Sequence, residues 1–527
     1  VGVITGYPSL SSAVPADVLP IVDVTGGLPG LLKDITAGNL APVISGAFDI
    51  VAWGGADPTG GTDAASIVAA AFAAAAAAVG LGAGRVTAPA GTFLINSGTG
   101  ISVTTQGIVF TGASASPDWS HPTGSGTNFH LGSGFGGTSL FSVSGSGHQV
   151  TLAGFAVTSY SSASSVIGVL ASGVDGLSLK DILLSQVGGI SLSSVTRSVL
   201  EDLVTQATNG TYALSCVSST IVFFSRCNFA PVSTATYAMY FSGCETIILI
   251  ACQGNNNPAY SLYLLNTNDS TFTDFEANGG STASVALSGC TDVRFTDLYA
   301  SGSSTPVYLS VVNSSIVQFI GGWLNNSTGS AVVLDGTGGG THDVIISGML
   351  IASASASASP VAITATPVYS VVIRGNNIWG HAGVAWITDA SSSSGRACTY
   401  SGNVIAAGAA PAITGAGAQN VRADGNVSTT GAAVNYGPAD VQTVGQGLQV
   451  AEGSNAKQGT TALVGGSAVV ANTSVTASSR IFLTSQADGG TPGWLRVSNR
   501  TAGTNFTITS SSGTDTSTVA YEIFEPG

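Results

Sequence analysis

Glu276, Tyr299 and Trp323 lie 23 and 24 residues apart, and each fills the same place in a repeated eight-residue pattern. Gln253 fills that place one copy earlier; Leu350 and Asn377 fill it in the copies that follow. A carboxylate in line with two aromatic rings suits carbohydrate. Rings pack on the apolar faces of a sugar, and a carboxylate accepts hydroxyl protons or acts as general acid or base. Asp274 and Asp297 stand two residues before Glu276 and Tyr299. Hydrolysis of a glycosidic bond takes two carboxyl groups, about 5–5.5 Å apart for retention and about 6.5–9.5 Å for inversion. Elimination takes a base and a means of neutralising a uronate. Glu276, Asp274 and Asp297 are therefore the candidate catalytic residues, and Tyr299, Trp323 and Asn377 the candidate substrate-binding residues. The same column also fits a partly buried contact between subunits, a setting in which Tyr and Trp are enriched. Both readings stay open at this point.

The other reactive side chains form weaker patterns. Asp181, Asp202, Asp274 and Asp297 share one position at which other copies carry Gly, so turn formation competes with chemistry at each. Glu201 beside Asp202 reads as a solvated face. The histidines, His121, His130, His148, His342 and His381, show no ligand spacing, and His342-Asp343 reads as a loop contact. The run 132–137 (GSGFGG) lacks the strand-to-helix setting of a phosphate loop, and no GxSxG elbow occurs. Six cysteines in 527 residues include no CxxC pair and read as free buried thiols, with Cys244 and Cys290 as small inward fillers. The expectation is no metal and no cofactor.

Stepping along the chain, the pattern recurs twelve times between residues 148 and 430, every 21 to 27 residues. Copies include 150–157 (VTLAGFAV), 177–184 (LSLKDILL), 293–300 (VRFTDLYA) and 371–378 (VVIRGNNI). Positions one and three are mostly apolar and share one strand face, and so do positions six and eight. Passing from three to six breaks the alternation, so the chain turns a corner at four and five, and Gly or Asp nearly always stands at five. Asn376, Asn403 and Asn426 occupy position six in three consecutive copies and predict an internal hydrogen-bonded ladder. Position seven points outward. A β-rich repeat of this length predicts an all-β right-handed parallel β-helix of about twelve coils, its hand taken from the crossover rule.

Residues 46–147 form the opening region, with a capping helix over 62–79. There Thr62 or Asp63 serves as N-cap, alanines fill the body, and Gly80 follows. Residues 85–95 (RVTAPAGTFLI) read as two short strands. Residues 1–45 form a separate segment, 431–458 a linker, and 459–527 alternate apolar and polar residues between Gly-rich turns, which predicts an antiparallel β domain.

Charged residues make up 8% of the chain, against about 25% in typical soluble proteins. Thirteen Lys and Arg against 27 Asp and Glu give a net charge of −14, and no basic run occurs. Phosphate backbones need clustered cations, so nucleic acid is excluded as a partner. The longest apolar run, 64–79, is mostly alanine and too short to span a bilayer. Residues 1–10 carry no signal-peptide pattern.

Several segments together resemble a known family. Residues 53–57 (WGGAD), Thr62-Asp63, the alanine helix and 89–95 (PAGTFLI) look like the opening motif of pectate-lyase-like β-helix proteins, common among bacteriophage tailspikes. Residues 15–40 are similar to the N-terminal part of phage tail fibres, and 499–527 (NRTAGTNFTITSSSGTDTSTVAYEIFEPG) to a C-terminal domain of phage tail proteins. The resemblance implies a homotrimer of the virion tail, assembled in the host cytoplasm and attached through its N-terminus. It also implies recognition, and in many members depolymerisation, of bacterial surface polysaccharide. The middle of the chain matches in architecture only, so no catalytic residue carries over. Two alternatives stay open: a structural or adhesive tail protein without catalysis, and a secreted bacterial polysaccharide lyase.

Overall fold

The computed structural model describes residues 47–406, except 82–83, 116–125, 146–147, 161–164, 209, 257, 303–304, 355–357, 366, 380–386 and 390–397. It also describes 452 and 455–525, and short pieces at 18–19, 35–36, 413–414, 421–428, 442–444 and 447–449. Two compact units result: residues 1–420 with 428–432, and residues 421–427 with 433–527. Within residues 1–45 only the antiparallel pair Val18–Leu19 and Ile35–Thr36 falls among the described residues. His121 and His381 lie outside them.

The first unit is a parallel β-helix whose coils follow the eight-residue pattern in register. Val150 pairs with Leu177, Val222 with Ile247, Val293 with Val317 and Val344 with Val371, so position one stacks on position one. Positions one to four form a first face and positions six onward a second. The strands between copies form a third face, a thirteen-stranded parallel sheet running from Ile101–Val103 to Ile413–Thr414.

The corner between the first two faces lies at position five. All twelve residues there have positive φ, between 51° and 74°. Gly and Asp reach this conformation at little cost, but Arg226 and Ala251 adopt it as well. The stack enforces it, because the ladder runs on through the corner: Arg226 N–H donates to Ile250 O and Ala251 N–H to Thr273 O, each at 3.0 Å. Inside, position three is fully buried from Leu152 to Tyr400. Phe272, Phe295 and Phe319 stack there with centroids 4.5 and 5.1 Å apart. The asparagine ladder is present: Asn376 Nδ2 donates to Asn403 Oδ1 and to Ile346 O, and Asn403 Nδ2 to Ile373 O, all at 3.0 Å. The six cysteines are buried and unbridged.

The β-helix begins earlier than the repeat. Ala47–Asp49, Arg85–Thr87 and Val109–Thr111 pair in sequence and then onto the strand containing Thr151. In the first of these pairs the partners are 38 residues apart in sequence, because the helix is inserted between the strands. That helix is Ala65–Ala78, shorter than 62–79, with Ala64 as N-cap. Neither Thr62 nor Asp63 caps it. Asp63 Oδ1 instead accepts the N–H groups of Ala65 and Asn96, each at 3.0 Å, and so ties the helix start to the end of strand Gly91–Ile95. Val68, Ala71, Phe72 and Ala75 form the buried stripe. Phe72 meets Phe110 and Phe141 at 5.6 and 5.8 Å, which covers the apolar interior of the first coils. Asp57 pins the turn before the helix by accepting from the N–H groups of Thr59 and Thr62. His342 and Asp343 belong to strand Thr341–Ser347 and not to a loop; they bond to each other at 2.8 Å.

The second unit contains two three-stranded antiparallel sheets. Gln458–Ala462, Thr518–Phe524 and Arg480–Ala487 form one, with Thr518–Phe524 central; Ser467–Ala471, Asn505–Ser510 and Leu495–Thr501 form the other, with Asn505–Ser510 central. Phe506, Ile508, Val519, Tyr521 and Ile523 lead its core.

Candidate functional site

The outward row at position seven is continuous. Gln253 pairs with Glu276, Glu276 with Tyr299, and Tyr299 with Trp323. Adjacent coils are about 4.8 Å apart, so these four side chains share one strip of the second face. All four are half-buried. The Tyr299 and Trp323 rings meet edge to face at 5.6 Å. Trp323 Nε1–H is buried and has no acceptor among the described residues, an arrangement rare in folded proteins.

Glu276 is held by amides on both oxygens. Gln253 Nε2 donates to Oε2 at 2.7 Å and Asn278 Nδ2 to Oε1 at 2.8 Å. Asn278 Nδ2 also donates to Asn255 Oδ1 at 2.8 Å, Asn255 Nδ2 donates to Asn228 Oδ1 at 2.8 Å, and Ser301 Oγ donates to Asn278 Oδ1 at 2.7 Å. A carboxylate accepts only, so it fixes which end of each neighbouring amide faces it. The outcome is an ordered polar strip, bounded on one side by Tyr299 and Trp323. Such a strip can align sugar hydroxyls and place one carboxylate against them.

Asp274 and Asp297 stand at consecutive corners, with φ of 51° and 54°. Both are exposed, and neither makes a side-chain hydrogen bond or ion pair among the described residues. The other corner carboxylates are engaged. Asp181 Oδ2 accepts the N–H of Ala115 at 3.1 Å, and Asp202 takes both ends of the Arg226 guanidinium at 2.7 and 3.0 Å. That arginine, by hydrogen bond and charge, lowers the Asp202 carboxyl below its ordinary range. Glu201 pairs with Lys180 at 3.5 Å on the surface. The structure thus brings Glu276, Tyr299 and Trp323 together and sets Asp274 and Asp297 on the adjoining corner. It does not bring Asn377 to Glu276. Asn377 follows Trp323 by two further coils, through Leu350, about 19 Å from Glu276 along the axis at the usual strand spacing.

Sequence reasoning missed Asn255, Asn278 and Ser301. They occupy position nine, one step beyond the eight-residue pattern and on the same side of the strand as position seven. Extending the alternation by one residue would have found them. Among the described residues no group of three or more His, Cys, Asp or Glu side chains could hold a metal ion.

Comparison with known proteins adds a short match and a set of distant likenesses. Residues 455–524 match the family described as K1 capsule-specific polysaccharide lyase, C-terminal domain. No curated protein matches the chain. Among solved structures, the chain is similar to the tailspike of Pseudomonas phage phi297, at 12% identity, covering 90% of this chain and 98% of that one with a TM-score of 0.44. It is also similar to a mannuronan C-5 epimerase A-module of Azotobacter vinelandii, at 16% identity, covering 72% and 99%, TM-score 0.40. A third is the catalytic unit of an alpha-1,3-glucanase of Streptomyces thermodiastaticus, at 17% identity, covering 72% and 70%, TM-score 0.41.

Proposed function

We propose that this chain is the receptor-binding spike of a bacteriophage tail, which engages a bacterial surface polysaccharide and shortens it. The observation that carries the reading is the ordered strip on the second face: Glu276, fixed by Gln253 and Asn278, beside the Tyr299–Trp323 pair. The match of residues 455–524 to the C-terminal domain of a capsule-specific polysaccharide lyase supports the same substrate class. In this reading the aromatic pair holds the sugar, Glu276 transfers the proton, and Asp274 or Asp297 supplies the second carboxyl group from the corner. The spike is a homotrimer, attached to the tail through residues 1–45 and assembled in the host cytoplasm. Exposed apolar side chains on the second unit, among them Phe482, Trp494 and Phe524, support contact between copies there.

The test is direct. Purified protein is incubated with capsular polysaccharide or lipopolysaccharide of the host, and chain length is followed by size-exclusion chromatography. Absorbance of a new double bond separates elimination from hydrolysis. Shortening is expected, and Glu276→Gln should abolish it; retained activity in that variant would refute the assignment of Glu276. A second reading, binding without cleavage, is favoured by one observation: amide donors already occupy both Glu276 oxygens. Polysaccharide bound but left at full length would establish it.

A further inference from the structure

On the third face, five of the chain's 13 tyrosines converge: Tyr212, Tyr237, Tyr240, Tyr260 and Tyr263. Two rows produce the cluster. Tyr212 pairs with Tyr237 and Tyr237 with Tyr260, while Tyr240 pairs with Tyr263. Neighbouring rings lie 4.9 to 6.2 Å apart, and Tyr237, Tyr240 and Tyr263 each meet three of the others. All five are half-exposed.

Nothing in the coil geometry asks for rings at these places. In the outward row of Tyr240 and Tyr263, the preceding coils carry Ser191 and Ser215, and the following coils Ala286 and Ser310. The register tolerates a small side chain, and the fold gains no core from the rings.

We propose that this patch is a second, non-catalytic carbohydrate-binding surface, which takes an uncharged stretch of the same polysaccharide; the proposal rests on the function proposed above and names a further site for it. Three observations select this occupant. The patch offers aromatic carbon and phenol hydroxyls together, the two surfaces a sugar presents in return. No ionic side chain stands among its in-register neighbours, so it selects by shape and hydrogen bonding and not by charge. It is also continuous with the polar strip. Strand Asn228–Pro231 leads into Tyr237–Ser242, and Gln253–Gly254 into Tyr260–Leu265. At that bend the chain is tight enough that a Cβ on Gly254 would lie 2.8 Å from Ser261 O. One polymer can therefore follow these two coils from the tyrosines to Gln253 and Asn255, with Glu276 one coil further on. A second copy of the chain fits less well. A stable protein interface needs about 20–30 residues a side, and apart from Val217 and Leu265 the flanking rows offer small side chains around five rings.

The test uses the full chain with Tyr240→Ser and Tyr263→Ser combined, the residue type already present in that row. Far-UV circular dichroism and the melting temperature check the fold. The probes are a panel of purified neutral and acidic capsular polysaccharides, as long chains and as short oligosaccharides. The wild type should bind the long chains of at least one polysaccharide, and the tyrosine variant should bind them at least tenfold more weakly. Lost binding in the tyrosine variant supports the patch whether or not the wild type shortens the polymer, so failure of the cleavage reading stays distinguishable. Equal binding by the tyrosine variant overturns the patch. So does a wild type that binds no polysaccharide, and so does a tyrosine variant whose defect is a lower sedimentation mass.

Discussion

The β-helix and the C-terminal unit are both made of sheet, but they cover their apolar surface in different ways. In the β-helix each coil lies under the next, and the interior row from Leu152 to Tyr400 is fully buried within one chain. The C-terminal unit folds two small sheets around eight buried residues and leaves Phe482 61% and Trp494 67% exposed. Stacked coils add core in proportion to their number. A sandwich of about 70 residues has little interior to add, and its outer faces carry apolar side chains that a partner surface could cover. The first unit buries its inner rows along its whole length; the second closes around one small core.

The largest expected effect tests the first unit. Phe295→Ala removes the middle ring of the Phe272–Phe295–Phe319 stack and should cost about 3–5 kcal/mol, read as a lowered denaturation midpoint in urea. A cost under 1 kcal/mol would mean that the coils collapse around the gap and that stacking is not what holds them. Next in size is Asn403→Ala, which leaves Ile373 O and the Asn376 N–H without their partner. It should cost about 1–3 kcal/mol, with faster hydrogen exchange confined to the coils around 346–405.

The third prediction separates the two units by pH. In the C-terminal unit the Ser510 hydroxyl, with the Ser517 hydroxyl and the N–H groups of Gly493 and Ser517, holds the Asp515 carboxyl well below the ordinary carboxylate range. A carboxyl whose folded pKa is depressed adds stability above its unfolded value, about 3.9, and loses that stability as pH falls through the folded value. Protection of the amides over 489–517, corrected for intrinsic exchange, should therefore be flat around neutrality and should fall below about pH 4, and Asp515→Asn should remove most of that dependence. The Asp202–Arg226 pair on the β-helix, exposed to solvent, should leave the protection of its own coils little changed over the same range.

The smallest effect on folding is expected for Phe482→Ser with Trp494→Ser. Exposed positions usually move stability by no more than about 0.5 kcal/mol. The pair should nonetheless lower the sedimentation mass if these faces join copies of the chain. An unchanged mass would place the contact elsewhere and erase the contrast drawn between the units.

Most of the fold was legible because the repeat writes the same geometric demand twelve times. The break in alternation located the corner, and all twelve corner residues adopt positive φ. The spacing of first positions gave the strand register. The early coils were not legible: Ala47–Asp49 and Arg85–Thr87 pair across an inserted helix, and their strands are too short to show a period. The helix starts later than the usual preference for Thr or Asp as N-cap predicts, because Asp63 is shared between the N–H of Ala65 and that of Asn96, just past a strand distant in sequence. At the site, the column Glu276–Tyr299–Trp323 followed from the period, whereas its support by Asn255 and Asn278 lay one residue past the pattern.

What the sequence alone determined is periodic: coil length, corner position, the inward row, and which side chains line up outside. Alternation and steric limits on φ act locally, and repetition amplifies them. What only the tertiary structure decided is occupancy. Asp181 and Asp202 are spent on structural bonds while Asp274 and Asp297 stay open, and five tyrosines gather where the adjoining coils carry Ser and Ala in the same row. Those outcomes depend on which partners lie within about 3 Å across coils, and hydrogen bonding at that range is set by stacking and not by order along the chain.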